Sequence, residues 1–140
     1  MDEQVVFSGD SIIEKKTFAF SVRIVDLNHY LTKEKKEFIL SKQIFLSGTS
    51  IGANVIEAED GESRADFRHK LRIALKETSE TVYWLRLLWH GEYINEKEFW
   101  SLYNDANEIR RILIAIIKNT KTTRSNTDPT ETTRATILLY

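Results

Sequence analysis

From Met1 to Asp128 the chain contains no proline, and the whole chain has only five glycines. Hairpins need turn residues that supply special backbone dihedrals, so a sequence this poor in them reads badly as an all-β fold. Long uninterrupted helices are the simpler solution. One hundred and forty residues suit one domain with a real core.

The apolar rhythm divides the first 121 positions into four helices, about 11–32, 35–59, 63–91 and 95–121. Ser11 with Glu14, and Ser63 with Asp66, have the spacing of capping boxes. Asn95 caps the fourth helix, with Glu96 and Glu98 in its first turn, and Asp60-Gly61 closes the second. Helices of roughly 20–28 residues span about 30–42 Å. Short connectors make consecutive helices antiparallel, so the expected fold is an all-α, up-down-up-down four-helix bundle over 1–121. The stretch TTRSNTDPTETTRATILLY has no helical stripe and is expected to be a flexible, disordered, threonine-rich tail over 122–140. Its apolar end, Ile137 to Tyr140, either docks on a neighbour or hangs free.

The first helix carries two apolar stripes. Phe20, Ile24, Leu27 and Leu31 share one face, while Phe18, Val22 and Val25 lie about 180° away. A surface helix of a monomer needs one stripe. The second helix is apolar nearly all round and carries a row of small residues, Ser41, Gly48 and Gly52. Each glycine costs a helix roughly 1 kcal/mol against alanine, so a close helix crossing is expected there. Phe18, Val22, Val25, Gly48 and Gly52 are therefore the candidate interface residues of a homo-oligomer, with an internal crossing as the alternative for the glycines. Asn54 and Glu57 read as a satisfied amide and a carboxylate paired with arginine, or as a device fixing helix register.

The full chain has a net charge of −1. Setting aside the three acidic residues of the start (Asp2, Glu3, Asp10), and the tail from Asn119 with three basic and two acidic residues, leaves +1 for the bundle. Non-specific nucleic-acid binders are usually strongly basic, so any such binding needs a local patch. Arg64, Arg68, Arg72 and Lys76 supply one at four-residue spacing, with His69 beside it. They are candidate phosphate ligands, or else a solvated face paired with glutamates. Tyr83, Trp84, Trp89 and Trp100 could stack on bases, although large aromatics more often serve cores and interfaces.

The absence of cysteine excludes disulfides and thiolate chemistry. The acidic start lacks an apolar run, and no stretch nears ~18 apolar residues, so neither a signal peptide nor a membrane span is expected and a cytoplasmic location is. Asp26-x-x-His29 and Asp66-x-x-His69 repeat the carboxylate-x-x-His spacing of di-iron bundles, but with aspartate in place of the usual glutamate. Phosphate-loop signatures are absent, and no serine nucleophile has a convincing histidine partner. The reading is thus non-enzymatic, with no cofactor and no metal.

Ser50-Ile51-Gly52-Ala53-Asn54-Val55-Ile56-Glu57-Ala58 resembles the Ser-Ile-x-x-Asn-Ile-x-Glu-Gly segment of the bacterial four-helix-bundle proteins encoded in 23S rRNA intervening sequences. Downstream, the Phe67-to-Thr81 stretch is similar to that family's Phe-rich run followed by Ala-x-Gly-Ser-x-x-Glu: Ala74 and Glu80 match, while Lys76 and Glu77 replace the Gly-Ser pair. The resemblance covers roughly Ile12 to Lys118 and marks Ser50, Asn54, Glu57 and Glu80 as its structural motif. It implies an antiparallel protomer in a ring-like homo-oligomer, a pentamer, without catalytic residues. It also implies kinship with the accessory variability protein of diversity-generating retroelements, a basic pentamer that binds a reverse transcriptase and nucleic acid. The expected function is an oligomeric scaffold for RNA, DNA or a nucleic-acid-handling protein such as a reverse transcriptase, with a purely structural or adaptor oligomer as the alternative.

Overall fold

The computed structural model describes residues 11–122, with side chains through residue 120. Four helices follow in order: α1 (Ile12–Lys33), α2 (Leu40–Glu59), α3 (Arg64–His90) and α4 (Glu96–Thr122). Among the described residues there is no strand. α1 packs on α2, α2 on α3, α3 on α4, and α4 returns to α1 along the least extensive of the four seams. This is the antiparallel four-helix bundle that the short connectors predict. Residues 123–140 of the expected tail, Ile137 to Tyr140 included, lie outside the described residues.

Each helix start has a chemical cause. Ser11 Oγ accepts from the Glu14 amide at 3.3 Å, and Ser63 Oγ from the Asp66 amide at 3.1 Å. Asn95 and Glu98 form a reciprocal box: Asn95 Oδ1 accepts from the Glu98 amide at 2.8 Å, and Glu98 Oε1 accepts from the Asn95 amide at 2.9 Å.

α2 begins at Leu40, later than the expected position 35. Lys36 takes a left-handed φ of 55°, which breaks the helical path. Glu37 is buried and caps the start that follows, its carboxylate accepting from the Ser41 amide at 2.8 Å and the Ile39 amide at 3.3 Å. Glycine plays no left-handed role at the other ends: no described glycine has positive φ, and beyond α3 it is Glu92, at φ 64°, that turns the chain.

The core runs the length of the bundle through Ile13, Phe20, Ile24 and Leu31 of α1 and Ile44, Ile51 and Val55 of α2. Phe67, Leu71 and Leu85 of α3 meet Ile109, Leu113 and Ile116 of α4. Between α2 and α3, Thr81 Oγ1 and Ser47 Oγ share a buried hydrogen bond of 3.0 Å. The α1–α4 seam is polar. Arg23 Nη1 reaches Asp105 Oδ2 at 2.6 Å, its Nη2 reaches Ser101 Oγ at 2.8 Å, and Lys16 Nζ lies 2.6 Å from Glu108 Oε1.

The close crossing at the glycines is made inside the protomer. A Cβ on Gly48 would stand 2.7 Å from Ile24 Cγ1, and one on Gly52 would stand 3.4 Å from Thr17 Oγ1. Both glycines face α1 of the same chain, the internal crossing that stood as the alternative for them. The small-residue pattern announces a close neighbour without saying which helix supplies it.

Among the described residues, no helix is long and apolar enough to cross a membrane.

Candidate interaction surface

The second stripe of α1 stays at the surface of the protomer. Phe18, Val22 and Val25 are 39%, 44% and 38% exposed. On α2, Leu46 and Ile56 are exposed, as are Phe38 and Ile39 just before it. Large apolar side chains partly exposed on two adjacent helices form the kind of surface that protein contacts cover.

Helix geometry sorts the basic candidates of α3. A four-residue step is about 400°, so the row Arg64, Arg68, Arg72, Lys76 winds by about 40° per member. Arg64, Arg68 and Arg72 hold one flank, Arg64 and Arg68 half-buried and Arg72 exposed. Lys76 and His69 lie about 80° and 100° around from Arg68, off that line. Lys76 instead sits beside Glu77 and lowers its pKa, against burial and the neighbouring Glu80 carboxyl, which together hold Glu77 above its ordinary value. The expected five-residue site is thus three arginines on a line with two outliers.

The same flank continues where the sequence reading did not follow it. Eighteen residues are about five full turns, so Arg86 repeats the direction of Arg68, and His90 that of Arg72, about 27 Å further along. Both are exposed. The acidic residues of α3 point elsewhere: Asp66, Glu77 and Glu80 stand about 160°, 180° and 120° from the Arg68 direction. Among the described residues, Arg68, Arg72 and Arg86 form no ion pair, whereas Lys16, Arg23 and Lys70 do. Carrying the helical wheel through all of α3 would have joined Arg86 and His90 to the row.

At its far end this flank opens into a groove of about 660 Å³ lined by Val82, Arg86, Trp89 and His90 of α3 and Phe99, Trp100 and Tyr103 of α4. Trp89 stacks on Phe99 with ring centroids 4.5 Å apart, and Phe99 stacks on Tyr103 at 5.7 Å. Trp100 meets Tyr103 edge-on at 5.3 Å and 85°. Tyr83 and Trp84 pair with each other at 5.2 Å.

The motif residues lie mostly along α2. Ser50 Oγ donates to the Leu46 carbonyl at 2.6 Å, and Asn54 Nδ2 donates to the Ser50 carbonyl at 2.8 Å. Glu57 is exposed and pairs with Lys70 at 3.0 Å, a lysine where an arginine was expected. Glu80 is exposed on α3 beside Glu77. A carboxyl pair that the sequence did not suggest joins α1 and α2: Glu59, at the end of α2, lies beside Glu14, which is buried in the first turn of α1. Burial and the Glu14 carboxyl push the Glu59 pKa up to about 7. Among the described residues no three His, Asp or Glu side chains converge as metal ligands; Asp26, His29, Asp66 and His69 are all exposed.

These features define an antiparallel helical bundle whose distinctive chemistry lies on its outer faces. The chain belongs to the family of 23S rRNA-intervening sequence proteins, whose family model matches residues 9–115. It is similar to a solved protein of unknown function from the S23 ribosomal protein family of Bacteroides thetaiotaomicron, with 55% identity and a TM-score of 0.77. That match covers 78% of this chain and 97% of the other. Comparison with curated proteins found no match.

Proposed function

We propose that this protein is a non-enzymatic, cytoplasmic, homo-oligomeric scaffold that binds nucleic acid through the basic flank of α3. The observation that carries the client is the separation of charge on that helix. Arg68 and Arg86 share one direction and Arg72 lies about 40° from it, all three without ion pairs among the described residues, and the three acidic side chains of α3 point away. Such a line attracts phosphates, and repetition around a closed assembly multiplies its field. Exposed Val22 and Val25 support self-assembly through α1. The resemblance supports a pentamer, and the kinship it implies with the retroelement accessory protein supports a reverse transcriptase as a protein client. The bundle's charge of +1 is a poor match to a strongly basic relative and places the weight on the local flank.

The test is fluorescence anisotropy with RNA and DNA across a salt series. Arg68→Glu with Arg72→Glu is expected to weaken binding at least tenfold and to flatten its salt dependence, because fewer counterions are then released. A second reading, a protein adaptor that never touches nucleic acid, is favoured by exposed Phe38, Ile39 and Leu46. Absence of binding at low salt would select it.

A further inference from the structure

The aromatic groove between the end of α3 and the start of α4 is more exposed than a core cluster: Trp89 is 36% and Trp100 is 44% exposed. Its size falls within the range of small-molecule sites, roughly 300–1,000 Å³. Phe99 anchors it from below, buried against both Trp89 and Tyr103. Trp100 stands nearly perpendicular to Tyr103, so the two rings form a corner whose Trp100 side is open to solvent. Arg86 and His90 line the same groove, and Arg86 lies in the direction of Arg68. On α4, Arg110 lies two turns beyond Tyr103 and within about 20° of its direction. Glu96 is the acidic residue on that side of α4, while Asp105 and Glu108 are engaged with α1 and Glu98 with the Asn95 cap.

Resting on the nucleic-acid reading above, we infer that this groove is a stacking subsite for a base of a single strand, whose phosphates follow Arg86, Arg72 and Arg68 along α3. A duplex keeps its bases stacked inside and offers none to a ring, whereas an unpaired strand can turn one out onto Trp100 or Tyr103. The Arg86 guanidinium on the groove's wall suits a polyanion and disfavours a neutral apolar guest. Stacking on an aromatic face tolerates any base, so the site selects strandedness rather than sequence.

The experiment compares labelled oligo-dT of roughly 20 nucleotides, longer than the ~4–16-nucleotide sites typical of single-strand binders, with a duplex of equal length. Trp100→Ala is expected to weaken the single strand by roughly 5- to 150-fold and the duplex by less than about twofold. Trp100→Phe, which keeps a ring, is expected to recover most of the loss. Tryptophan fluorescence of the unaltered protein is expected to be quenched by the strand, a readout that needs no variant. Duplex and strand binding that both ignore Trp100→Ala, with no quenching, would overturn the stacking subsite and leave the phosphate-binding flank standing. Failure of the unaltered protein to bind either probe would remove both. Dissociation of the assembly by Trp100→Phe in light scattering would show that another copy fills the groove. Polyglutamate binding lost in Trp100→Ala would assign the groove to acidic peptides instead, and each of these last two results defeats the inference.

Discussion

Gly48→Ala and Gly52→Ala change the same helix by the same methyl, and the structure predicts opposite outcomes. Alanine is favoured over glycine in a helix by about 1 kcal/mol. At Gly52 the new methyl meets Thr17 Oγ1 at 3.4 Å and Ser21 Oγ at 3.5 Å, which is ordinary contact. Gly52→Ala is therefore expected to be neutral or to stabilise by up to about 1 kcal/mol. At Gly48 the methyl meets Ile24 Cγ1 at 2.7 Å, Cδ1 at 3.0 Å and Cγ2 at 3.1 Å. Ile24 is fully buried and β-branched, so it cannot rotate away cheaply. Overpacking costs about 1–3 kcal/mol, which offsets or outweighs the propensity gain and leaves Gly48→Ala destabilised by up to about 2 kcal/mol. The assay is urea unfolding followed by circular dichroism at one fixed protein concentration, because self-association would otherwise shift the midpoint. In an Ile24→Ala background the added methyl has room, and Gly48→Ala is expected to lose its penalty there. A stabilised Gly48→Ala protein would refute the close crossing of α1 and α2.

Two further expectations concern charge and assembly. Glu59, with a pKa raised from 4.5 to about 7, holds a proton in the folded protein that the unfolded chain releases earlier. Its stabilising effect is complete below about pH 4.5 and is lost as pH rises through about 7. The full shift corresponds to about 3 kcal/mol, and solvent screening of a half-buried carboxyl reduces this to about 1–2 kcal/mol. Glu59→Gln should remove this slope in unfolding measured from about pH 5 to 8; an unchanged profile would assign the slope to other groups. Val22→Asp or Val25→Asp should dissociate the assembly in light scattering while leaving helical circular dichroism intact, and a monomeric unaltered protein at micromolar concentration would end the two-stripe argument.

The helices were legible because their starts are written locally. Ser11, Ser63 and Asn95 each lie three residues from the group they cap, and nothing distant overrides them. The start of α2 was not, because Phe38 and Ile39 continue the apolar rhythm while the break is a dihedral at Lys36 that periodicity cannot register. Gly48 and Gly52 signalled closeness but not the partner, since α1 and a second copy would both demand small residues. The arginine line was half legible: Arg64, Arg68 and Arg72 are adjacent on the page, whereas Arg86 joins them only after five turns are counted. Glu14 and Glu59 meet across α1 and α2, and no local pattern brings two carboxyls of such separated position together.

The polar closure between α1 and α4 gives the molecule a direction of opening. Three seams rest mainly on apolar packing, and the fourth is a clasp made of Arg23, Lys16 and their acceptors, each contact individually weak and sensitive to ionic strength. The rolled sheet of helices therefore comes undone first along that edge, where parting exposes the least grease. Amide exchange is expected to begin along that edge.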